Sequence, residues 1–183
     1  MSKTENKSIV PEVVKIVVGS VLIAIVYGIA HDMVTAHTEI SYFTIFHPRI
    51  SDSNSPVVMA LMWGVIATWW MGAIIGVLLA LCAQLGSKQS IPARYVLKSL
   101  TRATAVVFII AMATLAAMLR FCEGKTVEFQ PDPSDTSGRF LAVLITHNVS
   151  YFLSALVAVG MCVSILVRRS KPVLEEPTPP PSA

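Results

Sequence analysis

The chain has 183 residues, of which 54% are hydrophobic and 14% charged, with a formal net charge of +3 and a mean hydropathy of +0.68. A soluble domain carries about 25% charged residues, so this composition excludes an ordinary globular domain with a fully solvated surface. The apolar residues gather into four blocks parted by charged segments, the pattern of an all-α, four-helix transmembrane bundle. The positive excess sits at the block edges and suits anionic lipid headgroups as neighbours, not nucleic acid.

In chain order, residues 1–10 read as a flexible polar tail. A first span over about 11–36 has Lys15 near its start and His31-Asp32 near its end. Its apolar stretch is long for the h-region of a signal peptide and no A-x-A site follows, so a retained anchor is expected. The segment HPRISDSNSP reads as a turn, with Ser55 as N-cap and Pro56 at the first helical position of a second span, 56–85. Trp63 suits an interface anchor, whereas Trp69 and Trp70 lie deeper, where they would pack between helices or line a lipid-filled groove.

In GSKQSIPARY, Gly86 closes the second span and Pro92 opens the third, 93–121, with Lys98 and Arg102 snorkelling to the interface. The long acidic loop CEGKTVEFQPDPSDTSG leads to a fourth span over 138–168. Residues 171–183, rich in proline, read as a disordered extension. The membrane domain is therefore 11–170. No internal repeat supports an inverted-repeat transporter, and the three cysteines form no C-x-x-C and no evident pair.

Ten Lys or Arg flank the side holding both termini and four lie in the two other loops. This bias predicts cytoplasmic N and C termini, with loops 31–56 and 120–139 on the outer side. The expected location is a bacterial inner membrane.

Gly64, Thr68, Gly72, Gly76 and Ala80 recur at every fourth residue of the second span, as do Thr146, Ser150, Ser154, Ala158 and Cys162 in the fourth. Such stripes allow close helix packing, within the bundle or in a homo-oligomer or membrane partner complex.

One stretch, YGIAHDMVTAHTEISYFTIFHPR (27–49), crowds polar side chains at a span exit. Tyr27, His31, Thr35 and Glu39 share one face if the helix continues, and Asp32 lies beside it. His147, with Asn148 beside it and Tyr151 one turn on, interrupts the fourth span about nine residues in, roughly 13 Å along the axis. His31 and His147 thus lie at compatible depths. A shared ion requires the two side chains to come within about 8 Å, since zinc–nitrogen bonds are about 2.0–2.1 Å long.

An ionisable residue within a span is a functional-site candidate. His31, Asp32, Glu39 and His147 offer the imidazole and carboxylate donors of a divalent transition metal site for Zn, Fe, Mn or Cu. The same groups suit a proton or small-solute pathway or plain interhelical hydrogen bonding. His37 and His47 read as exposed loop residues. No Walker, Rossmann, H-E-x-x-H or G-x-S-x-G motif marks an enzyme, so a noncatalytic assembly or partner subunit is the alternative.

The elements YGI-x-HD, YFT and WGVIATWW, with the histidine of THNVSY, resemble a family of small uncharacterised bacterial four-span integral membrane proteins. Tyr27, Gly28, His31, Asp32, Glu39, Tyr42, Phe43, Thr44 and His147 carry the likeness, with EISYFT here in place of a compact EYFT. The resemblance implies a structured first loop and a kind of protein, not an activity.

Overall fold

The computed structural model describes residues 9–124, 126–127 and 136–170. The expected flexible N-tail before Ile9, most of the acidic loop and the Pro-rich tail lie outside the described residues. The helices are α1 (Val10–Thr38), α2 (Ser41–Thr44), α3 (Pro56–Ile66), α4 (Trp69–Gln84), α5 (Ala93–Phe121) and α6 (Gly138–Ser170). A two-residue antiparallel ribbon, β1 (Thr126–Val127) with β2 (Thr136–Ser137), precedes α6 and sets Thr126 opposite Ser137.

Among the described residues, four segments are long and apolar enough to cross a membrane: α1, α3 with α4, α5 and α6. Their outward faces match that solvent, with Leu22, Val26, Ile109, Phe152 and Val159 all largely exposed. Helix starts follow local chemistry. Pro11 and Pro56 occupy the first turns of α1 and α3, where a missing N–H costs nothing. Val10 is consequently already helical. Ala93 N, at the start of α5, donates to Glu12 Oε2 of α1 at 2.6 Å. Gly86, at φ +92°, turns the chain just beyond α4. Arg169 of α6 donates to the carbonyls of Cys82, Lys88 and Gln89 and ties down the same corner.

Around the bundle, α1 packs on α3–α4 and on α5, while α6 packs on α5 and α4. Helices α1 and α6 are therefore diagonal. Both small-residue stripes are used inside this arrangement. A Cβ on Gly64 would lie 2.6 Å from Ile29 N, one on Gly72 2.9 Å from Ser20 O, and one on Gly76 2.9 Å from Val17 Cα. Thr146, Ser150 and Ala158 of the second stripe are buried too.

The second span is broken where its sequence runs on without a proline. Between α3 and α4, Thr68 Oγ1 donates to Gly64 O at 2.5 Å, and Thr68 N turns to Val65 O. A hydroxyl competing for the i−4 carbonyl bends a helix.

The bundle has two apolar cores. One, at the end carrying the two longer loops, includes Ala36, Phe43, Met59, Leu115 and Phe140. The other, at the opposite end, includes Ile16, Leu79, Val96, Leu100 and Ile165. Buried Ser20, His31, Asp32, Thr35, His147 and Ser150 lie between these cores.

The fold also pairs two cysteines that the sequence left apart. Packing of α4 on α6 brings the Cys82 and Cys162 side chains close together against the same apolar core. Diamide should therefore oxidise them to an intramolecular disulfide, read as a loss of two hydrogens in the intact mass. A crosslink through Cys122 instead would contradict this helix arrangement.

Candidate metal centre

The polar cluster begins with two helices at fixed depth. His31 and Asp32 project from the last third of α1, and His147 comes from the first third of α6. Their meeting spans the diagonal: the two imidazole centroids are 4.5 Å apart and nearly perpendicular. Both rings address one carboxylate. Asp32 Oδ1 lies 3.2 Å from His31 Nδ1 and 3.3 Å from His147 Nε2. One donor atom from each residue falls within 4.8 Å of the other two. All three residues are buried, Asp32 at 6% exposure.

The hydrogen-bond partners assign the tautomer of His147. Its Nδ1 donates to Val143 O at 2.9 Å, and a carbonyl only accepts. In a neutral ring, Nε2 is then a bare lone pair aimed at a carboxylate oxygen. Two acceptors are held face to face only if a cation, either a proton or a metal ion, lies between them. His31 presents a related arrangement. Its Nδ1 faces Asp32, and its buried Nε2 has no hydrogen-bond partner. A metal-binding histidine typically donates its second nitrogen to a backbone carbonyl or carboxylate, as His147 does here.

Aromatic rings enclose the group. Tyr27 stacks on His31 at 5.6 Å, and its hydroxyl bonds the Ser150 hydroxyl. Tyr42 stacks on His147 at 4.3 Å. The single turn α2 supplies Tyr42 by folding the chain back over the end of the bundle. Burial pushes the Tyr42 hydroxyl above its ordinary pKa, with further contributions from Tyr151 and Asp32, so this cap stays neutral.

Glu39 does not join the cluster. The α1 helix ends at Thr38, and Glu39, with φ −154°, leaves the shared face. Its Oε1 accepts hydrogen bonds from Ser41 N and Ser41 Oγ and starts α2 instead. Thr35 stays on the face but donates to His31 O. Asn148 is exposed and donates to Leu144 O of its own helix. Tyr151 approaches His147 only edge-on, at 6.2 Å.

His47 of the first loop and Trp63 of α3 depart from the sequence expectation. His47 is half-buried, with Nδ1 donating to Tyr42 O and its ring 4.7 Å from Trp63. Trp63 is thereby covered, its buried Nε1 without a partner, which is not the setting of an interface anchor. His37 does remain exposed, turned to Met33 O.

Helical spacing could not find Tyr42, because the chain reverses after Thr38. Its only signal was the YFT element. The fold and site together define a class: a multi-pass helical membrane bundle with a buried two-histidine, one-carboxylate group. Comparison with protein-family models, curated proteins and solved structures finds no match.

Proposed function

We propose that the protein is a multi-pass component of a bacterial inner membrane that holds one divalent first-row transition metal on His31, Asp32 and His147. The observation that carries this reading is the bare Nε2 of His147 facing Asp32 Oδ1 at 3.3 Å, with the unpartnered Nε2 of His31 nearby. Two imidazoles and a carboxylate match the donor set of non-haem iron and of open zinc sites. Three protein ligands leave room for water or a small ligand. The basic-residue bias favours cytoplasmic termini and puts the centre toward the outer face. The resemblance to small four-span bacterial proteins supports the same setting.

Elemental analysis of protein purified in detergent without chelator tests the proposal. Wild type should carry about one equivalent of metal, and His31→Ala and His147→Ala should retain roughly a tenth or less, because even residues supporting a metal ligand are worth 10–100-fold in affinity. Metal-free wild type after supplementation with zinc, iron, manganese and copper in turn overturns the reading. That outcome favours the second reading, in which a single proton bridges His147 and Asp32 as part of a proton path.

A further inference from the structure

A cavity of about 470 Å³ opens in the middle of the bundle. It spans Ser20 to Tyr27 of α1, halfway along that helix, and reaches the break between α3 and α4. Its mouth lies between α4 and α6, where Trp70, Tyr151 and Ala155 are exposed. An occupant therefore arrives sideways from the hydrocarbon. The volume is that of a small-molecule site, about 300–1,000 Å³.

The walls define the occupant's chemistry. Among the described residues, no Asp, Glu, Lys, Arg or His lines the cavity, so a phosphate headgroup or fatty carboxylate would enter without a counter-charge, at high cost. The polar lining consists mainly of hydroxyls, including Ser20, Thr104, Ser150 and Ser154. Ser20 is distinctive. It is 1% exposed, yet its Oγ has no hydrogen-bond partner. Most threonines on the helices instead return their hydroxyls to the carbonyl four residues back, among them Thr35, Thr101, Thr114 and Thr146. Tyr27 and Trp70 add flat aromatic walls.

We infer that this cavity binds a neutral, planar, membrane-soluble carbonyl compound of the isoprenoid quinone type. Its ring lies among Tyr27 and Trp70, its oxygens accept from the Ser20 and Tyr27–Ser150 hydroxyls, and its tail leaves through the mouth. The site goes beyond the metal reading and does not depend on it. Tyr27 forms the wall between the two, bonding Ser150 on the cavity side and stacking on His31.

Titrating the full-length protein in nanodiscs with a short-tailed alkyl benzoquinone tests the inference by quenching of tryptophan fluorescence. Saturable quenching is expected, largely lost in Trp70→Phe. Ala155→Phe, which narrows the mouth, and Ser20→Val, which removes the hydroxyl, should each weaken binding by up to about tenfold, the equivalent of one hydrogen bond. Circular dichroism confirms folding, and Ser20→Val decides if Ala155→Phe fails to fold. Chelator-treated wild type should bind the quinone unchanged, which separates this result from the fate of the metal reading. Linear, unsaturable quenching in wild type would mean partition into lipid and overturn the proposal. Equal displacement by an alkyl alcohol with the same tail would overturn it too, by assigning the cavity to an acyl chain.

Discussion

Asp32→Asn is expected to abolish tight metal binding while leaving the metal-free protein at least as stable as wild type. The asparagine amide keeps the shape of the side chain and can donate a hydrogen to the bare Nε2 of His147, now 3.3 Å from Asp32 Oδ1. What it removes is the anionic donor that both histidines address. A divalent ion on two neutral imidazoles would keep its full charge in a buried site, and affinity should fall at least about a hundredfold, or about 2.7 kcal/mol. The metal-free form no longer buries an ionised carboxylate at 6% exposure, and such burial is costly. Thermal unfolding in detergent separates the two effects. At a metal concentration about 100 times its Kd, wild type gains about 2.7 kcal/mol, whereas Asp32→Asn gains about 0.4 kcal/mol or less. An equal metal-induced shift in both would show that the ion binds elsewhere. His147→Ala makes the reverse change, stranding the carboxylate, and should cost about 3–5 kcal/mol without metal.

The parts of this site that were legible in the sequence are those governed by helical rise. Counting residues from the span ends puts His31 and His147 at one depth, and their rings meet at 4.5 Å. The same counting fails at Glu39 because nothing before it in the sequence stops the helix. Neither Gly nor Pro marks the exit, and the turn is set by the Glu39–Ser41 contact and by Tyr42 and Phe43 burying themselves over the bundle. The small-residue stripe was legible as a close contact but not as a contact with α1. That partner depends on tertiary order, which periodicity does not encode. The break at residues 67–68 was hidden for a related reason. It arises from a threonine hydroxyl taking a carbonyl beside the α1 crossing, in a run whose composition reads as uninterrupted helix. Cys82 and Cys162 lie 80 residues apart and come together only through the α4–α6 contact.

That α1 crossing gives a second large expected loss of stability, at Gly28. Added to Gly28, a Cβ would lie 2.4 Å from Gly64 O and 2.5 Å from Thr68 Cγ2. At Gly64 it would lie 2.6 Å from Ile29 N. The clash at each position includes backbone, so no side-chain rotation relieves it and the helices must separate. Alanine is a better helix former than glycine by about 1 kcal/mol, but overpacking costs about 1–3 kcal/mol or more, so the clash decides the sign. Gly28→Ala should lower the unfolding temperature measured by circular dichroism in detergent, and Gly28→Leu should prevent folding. Gly160 is the control, since nothing lies within 4 Å of the Cβ it would gain. Gly160→Ala should be neutral or stabilising. Gly72→Leu meets Ala24 Cβ at 2.7 Å and Ser20 O at 2.9 Å, so it should destabilise the monomer rather than dissolve an oligomer. Gly28 also lies one turn before Asp32, and separating α1 from α3 there moves His31 and Asp32 away from His147. Gly28→Ala should therefore weaken metal binding without touching a ligand. If it remained as stable as Gly160→Ala, the close α1–α3 crossing would be disproved, and with it the alignment that brings the two histidines together.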